Sequence, residues 1–132
     1  MNKEWNDKYD QQDLQRLRGL RLMDDDFMSK CFENNIECTE LVLHIVLGRD
    51  DLKVEKVETQ HLIKNLQGRS IILDIYATDH TGKRYNIEIQ RADRGAGAKR
   101  ARYHSSLIDA NITEPGDRLE NLSETYVIFI TE

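Results

Sequence analysis

The 132-residue chain is poor in the features that define several protein classes. Its 2 cysteines, Cys31 and Cys38, form no CxxC pair and cannot build a disulfide framework, so we expect both to be reduced and packed. No apolar run approaches the roughly 18 residues of a membrane span, and no stretch has the pattern of a signal peptide, which predicts a soluble, cytoplasmic protein without membrane partners. The net charge of -5 excludes a binder that is basic over its whole surface, although it allows a local basic groove.

The length favours one domain with a real core and is too short for two. We predict an N-terminal arm or helix over residues 1–23, where leucines recur at a spacing of about three, and a folded domain over residues 24–132. The domain opens on Asp24-Asp25-Asp26. Carboxylates in a first helical turn favour the helix dipole, so we interpret this acidic triplet as a cap rather than as a metal cluster.

The most informative stretch runs from Ile71 to Arg91, where two β-rich runs flank a Thr-Gly turn and predict a hairpin. The alternation of side chains in a strand predicts one apolar face in the first run, made of Ile71, Leu73, Ile75 and Ala77. Asp74 lies on its other face, as Glu88 does in the second run. A three-residue loop, His80-Thr81-Gly82 with Gly82 in the left-handed conformation, sets Asp74 directly opposite Glu88, with Cβ atoms about 5 Å apart.

Two facing carboxylates repel each other, so something is expected to neutralise them. A divalent cation is the simplest candidate, because two carboxylates and the backbone carbonyl of Ile89 are the hard oxygen ligands that suit Mg²⁺. The alternative is a half-solvated hairpin whose outer face is merely polar. Spacing alone leaves both interpretations open.

Before the hairpin, the pattern predicts a helix from Glu40 to Leu47, capped by Thr39 and ended by Gly48. This helix is apolar almost all round, which is typical of a buried helix. Glu40 in its first turn has either a functional role or the role of compensating the helix dipole. A strand is predicted next, over Val54–Leu66.

After the hairpin the chain becomes locally basic and then amphipathic, with a helix predicted over Ala98–Ile112. A basic helix is ordinarily a solvated face, but its position directly after an acid pair favours a phosphodiester substrate. The final run, Tyr126 to Ile130, is almost continuously apolar and predicts an internal strand. An internal strand so near the end of the sequence suggests a domain that is truncated at its C-terminus relative to its relatives.

Four segments together resemble the PD-(D/E)XK nuclease superfamily, and within it the Rpn-type group of recombination-promoting nucleases and transposases: Asp74, Glu88-Ile89-Gln90, Arg100-Ala-Arg-Tyr103 and Tyr126 to Glu132. The resemblance implies an α/β fold with a restriction-endonuclease-like core, a mixed central β-sheet flanked by helices. It also implies that Asp74 and Glu88 hold Mg²⁺, which Mn²⁺ can replace, and that Glu40 completes the metal shell through water.

The same resemblance implies a Mg²⁺-dependent DNA endonuclease of low sequence specificity, linked to transposition or recombination, with Asp74, Glu88 and Gln90 as catalytic residues. Gln90 stands where the superfamily has lysine; glutamine can orient a water but brings no positive charge. The residues expected to contact DNA phosphates are Arg91, Arg94, Lys99, Arg100, Arg102 and Tyr103. The alternative is a catalytically silent, truncated module that binds DNA or a protein partner, and a homodimer is an open option.

Overall fold

The computed structural model describes residues 30–90 and 97–131. The predicted N-terminal arm, the acidic triplet, Arg91 and Arg94 therefore lie outside the described residues. The elements are α1 (Ile36–Leu47), β1 (Val54–Ile63), β2 (Ile71–Asp79), β3 (Arg84–Gln90), α2 (Ala98–Ile112), a short 3₁₀ helix (Leu119–Asn121) and β4 (Thr125–Thr131).

The four described strands form one sheet in the order β1-β2-β3-β4. The first three strands are antiparallel neighbours, whereas β4 runs parallel to β3 after the crossover through α2. A parallel pair requires such a crossover, because a short turn can join only antiparallel strands. The predicted α/β architecture, a mixed sheet flanked by helices, is confirmed.

The predicted register of the β2–β3 hairpin is also confirmed. Ile75 pairs with Ile87, and the pairs that follow toward the turn keep the same register. The backbone N–H of Asp79 donates to the carbonyl of Lys83 at 3.1 Å, which closes a three-residue loop. Gly82 has φ +88°, a conformation that costs glycine little because it has no Cβ.

The single apolar face predicted for β2 is wrong, because its apolar residues divide between two clusters. Ile75 and Ala77 pack with Phe32 and with residues of α1 and β3. Ile71 and Leu73 instead pack with Tyr76 and with Leu107 and Ile108 of α2. The change coincides with Asp74 on β2 and with Gln60 on β1, which has the unusual positive φ of +52°.

Helix α1 begins four residues before the predicted start. Asn35 is its cap and accepts a hydrogen bond from the backbone N–H of Cys38 at 3.0 Å. Thr39, the predicted cap, lies inside the helix, and its hydroxyl donates to the carbonyl of Asn35. Gly48 ends the helix in the left-handed conformation, as predicted.

Two predictions of burial are wrong. Helix α1 contacts the sheet through one face only, so Leu43 is fully buried while Leu41 and Ile45 are 52% and 72% exposed. The last strand, β4, was predicted to be internal, yet it is the edge of the described sheet and its side chains are only half-buried. An apolar run shows that a strand is covered on its faces, but it does not show that a further strand lies beside it.

The two cysteines are free thiols that pack against the cluster under α1. A helix that crosses a membrane needs roughly 20 apolar residues, and none of the helices in the described ranges has that combination of length and apolarity.

Candidate functional site

Asp74 on β2 and Glu88 on β3 are linked by two hydrogen bonds, in each of which a carboxylate accepts from a backbone N–H of the opposite strand. The N–H of Asp74 donates to Oε2 of Glu88 at 2.7 Å, and the N–H of Ile89 donates to Oδ2 of Asp74 at 3.1 Å. The last backbone pair before them joins Ile75 to Ile87. The hairpin register therefore delivers the two carboxylates to the same point, as the sequence predicts, and each side chain accepts a hydrogen bond from the other strand.

Glu88 is a buried acid whose charge is poorly compensated. It is 1% exposed, and its Oε2 also accepts a hydrogen bond from Nδ2 of Asn86 at 3.1 Å. Burial, followed by repulsion from Asp74, raises the pKa of Glu88 to about 7 despite the two hydrogen bonds and the charge of Arg100. A group with this balance attracts either a proton or a cation.

Behind Glu88 lies a buried polar chain that was not predicted. Nδ1 of His104, on α2, is 2.9 Å from Oδ1 of Asn86 and 3.9 Å from Oε1 of Glu88. Burial, with the positive charges of Arg100 and Arg69, lowers the pKa of His104. This shift favours the neutral imidazole, for which the contact with Glu88 is not an ion pair. Asn86 shares the Glu88 face by strand alternation, which was the only signal for it in the sequence.

The acid pair has the donor chemistry of a magnesium site. Among residues 30–90 and 97–131, no group of three or more histidine, cysteine or acidic side chains could hold a metal together. Mg²⁺ needs no such group, since it commonly takes one or two carboxylates and keeps several waters. The buried charge of Glu88 beside Asp74 is what a divalent cation would neutralise, so the residues fit the ion that the resemblance implies.

Two other predicted site residues lie next to the pair along β3. Ile89 follows Glu88 directly, and its N–H is committed to Asp74. Its carbonyl remains a predicted ligand. Gln90 lies two residues after Glu88 and pairs with Thr131 of β4, so strand alternation places its side chain on the Glu88 side of the sheet.

Glu40 is not brought to the acid pair. Its Oε2 accepts the N–H of Val54 at 3.0 Å, and its Oε1 lies 3.6 Å from Nζ of Lys53. Val54 pairs with Asp79, at the turn end of β2. Asp74 lies five residues further along this strand, about 16 Å at the usual rise. Glu40 therefore fastens α1 to the start of β1, and we do not assign it to a metal shell.

A cationic cavity of about 960 Å³ lies between α2 and the loop that joins β1 to β2, and its lining includes His104, which contacts Glu88. Its lining also includes Arg69, Lys99, Arg100 and Tyr103. Three of the predicted phosphate-contacting residues are thus brought together, and Arg69 joins them from a loop that the sequence pattern did not single out.

Tyr103 holds one wall of this cavity in place. Its hydroxyl donates to the carbonyl of Arg69 and accepts a hydrogen bond from Nδ2 of Asn65 at 3.3 Å. The tyrosine therefore ties the β1–β2 loop to α2. Arg102 does not line the cavity. It lies two residues after Arg100 on α2, so its side chain projects about 200° away from that of Arg100 around the helix axis.

A pair of carboxylates on adjacent strands of a mixed sheet, with a basic helix behind it, is the arrangement of an α/β protein with a restriction-endonuclease-like fold. A family model described as PD-(D/E)XK nuclease family transposase matches residues 22–132, and the chain belongs to this family. The match confirms the superfamily that the sequence resembles and its restriction-endonuclease-like core. No curated protein and no solved structure matches the chain significantly.

Proposed function

We propose that this protein is a Mg²⁺-dependent DNA endonuclease, which hydrolyses phosphodiester bonds with low sequence specificity in transposition or recombination. The observation that supports the proposal is the pair of hydrogen bonds that link Asp74 and Glu88. These bonds keep the two acids together, although their proximity raises the pKa of Glu88. A buried acid beside a second acid costs stability, and active sites are where proteins commonly tolerate such a cost. Family membership independently favours nuclease chemistry.

Asp74, Glu88 and the carbonyl of Ile89 are the proposed ligands of Mg²⁺ or Mn²⁺. A bound ion of this kind polarises a phosphate oxygen and lowers the pKa of an attacking water. The protein contributes the fixed orientation of both carboxylates. Gln90, on the same side of β3, has an amide that can place the water by donating or accepting a hydrogen bond.

Gln90 brings no positive charge to the site. In this proposal, the basic residues that line the cavity supply that charge instead. Arg100 is close enough to Glu88 and His104 for its charge to oppose the rise in the pKa of Glu88 and to lower the pKa of His104. Arg69 and Lys99 extend the same wall. Cations that contact phosphate carry no information about base sequence, which accounts for the proposed low specificity. Arg91, Arg94, Arg102 and Tyr103 remain further predicted contacts to the backbone.

Nicking of supercoiled plasmid at low salt tests the proposal, with and without Mg²⁺, for the wild type and for Glu88→Gln. We expect metal-dependent nicking that the substitution abolishes. Glu58→Gln is the matched control, because Glu58 lies on β1 and already pairs with Lys56 at 2.7 Å. Failure of the folded wild type to nick in Mg²⁺ or Mn²⁺ would contradict the proposal and favour a silent binding module.

A further inference from the structure

The two oxygens of Glu88 have unequal surroundings. Oε2 accepts two hydrogen bonds, from the N–H of Asp74 at 2.7 Å and from Nδ2 of Asn86 at 3.1 Å. Oε1 lies 3.9 Å from Nδ1 of His104, beyond hydrogen-bond distance. The carboxylate therefore has one oxygen committed to the protein, and rotation about its last bond would break both of these bonds.

The hydrogen bonds that lead from His104 through Asn86 to Oε2 of Glu88 have a fixed donor and acceptor at each step. Nδ2 of Asn86 faces two oxygens, Oε2 of Glu88 and the carbonyl of Ile75 at 3.3 Å, so this atom must be the amide nitrogen. Oδ1 of Asn86 must then accept, and Nδ1 of His104, 2.9 Å away, must carry the hydrogen. In this hydrogen-bond series His104 donates to Asn86, and Asn86 donates to Glu88. Neither donor and acceptor assignment can be reversed.

We propose that Asn86 and His104 are positioning residues, which hold Oε2 of Glu88 so that Oε1 is the oxygen presented to the metal ion. This inference rests on the proposed metal-dependent function. His104 acts through Asn86 and does not itself bind the ion. Hydrogen bonds behind a ligand typically change metal affinity 10-fold to 100-fold when they are lost.

Calorimetric titration with Mn²⁺ tests this inference on the full chain. We expect Asn86→Leu and His104→Leu to weaken Mn²⁺ binding by about 10-fold or more. His104→Asn should restore affinity to within a few-fold of the wild type, because an asparagine amide puts a donor where Nδ1 was. His104→Gln moves the donor to the position of Nε2 and should not restore it. Equal affinities in His104→Asn and His104→Gln would overturn the proposal.

A spectroscopic measurement on the metal-free wild type tests whether His104 is the donor to Asn86. In ¹⁵N spectra of the imidazole groups of the wild type, we expect the hydrogen of His104 on Nδ1 and none on Nε2. His44 is an internal reference for a hydrogen on Nε2, because its Nε2 lies 2.8 Å from the carbonyl of Leu52, which can only accept. A hydrogen on Nε2 of His104 alone would overturn the proposal, even if the leucine variants fail to fold.

The two proposals fail in different ways. If the wild type binds Mn²⁺ and nicks DNA while Asn86→Leu and His104→Leu bind Mn²⁺ normally, the positioning inference is wrong and the proposed function stands. If the folded wild type binds neither Mg²⁺ nor Mn²⁺, the proposed function is wrong and the inference is overturned with it.

Discussion

Asp74 and Glu88 are joined by a 2.7 Å hydrogen bond in which the backbone of one acid donates to the side chain of the other. This bond favours the ionised form of Glu88, as does the amide of Asn86, yet burial and the charge of Asp74 outweigh both and raise the pKa to about 7. The arrangement therefore fixes the position of a charge without neutralising it. In the proposed function this charge binds a cation, and the metal-free protein is less stable because of it.

The first prediction concerns that stability cost. Glu88→Gln should stabilise the metal-free protein at pH 8 by about 1–3 kcal/mol, because a rise in pKa from 4.5 to about 7 corresponds to roughly 3 kcal/mol at most. The amide keeps an oxygen that can accept the N–H of Asp74. Urea denaturation at pH 8 measures the change. Glu58→Gln should give no gain, because Lys56 lowers the pKa of Glu58, and lower stability of Glu88→Gln would contradict the prediction.

The second prediction is the pH dependence of the same group. The pKa of Glu88 is raised in the folded state, so its contribution to stability is fully present below about pH 4.5, the unfolded value, and is lost as pH rises through about 7. The wild type should therefore lose stability relative to Glu88→Gln between these two values and keep a constant difference above about pH 8. Denaturation of both proteins across this range measures the difference, and parallel curves would contradict the assignment.

A linked third prediction concerns metal affinity. A metal ion and a proton compete for Glu88, so binding of Mn²⁺ should strengthen as pH rises toward about 7, by at most about 10-fold per unit, and then level off. Calorimetry in two buffers of different ionisation enthalpy should show release of a proton below pH 7 and much less at pH 8. Affinity that is independent of pH between 5.5 and 7 would contradict this.

The site could be predicted only as far as local pattern determines it. Strand alternation and the turn at Gly82 were sufficient for the register that joins β2 to β3, and the bounds of α2 were predicted correctly, because both depend on residues close in sequence. Asn86 and His104 are 18 residues apart and meet only because α2 crosses back over the sheet. Arg69 comes from a loop without periodicity, and Glu40, assigned to the metal shell by resemblance, contacts Val54 and Lys53.

The fourth prediction separates the residues of the cationic wall. Arg69→Ala and Arg100→Ala should each weaken binding of double-stranded DNA, and each should reduce the slope of log affinity against log salt by about 1. Arg118→Ala is the matched control, since Arg118 is exposed, lies 3.8 Å from Glu120 and is not on the cavity wall. Fluorescence anisotropy at several salt concentrations measures the slopes. Equal losses in all three variants would indicate a diffuse basic surface and contradict a defined wall.

The fifth prediction tests the hydrophobic clusters and the break between them. Gln60 has φ +52°, which costs a residue with a Cβ roughly 1 kcal/mol. Gln60→Gly should therefore stabilise the protein by up to about 1 kcal/mol, whereas glycine is ordinarily destabilising in a strand by about 0.5–1 kcal/mol.

Lys56→Gly on the same strand is the matched control for this last test, because Lys56 is exposed, pairs with Thr78 and does not have a positive φ. Urea denaturation should move the two variants in opposite directions. If Gln60→Gly loses as much stability as Lys56→Gly, the positive φ is not a strained feature of β1. The division of the apolar residues of β2 between α1 and α2 would then need another physical cause.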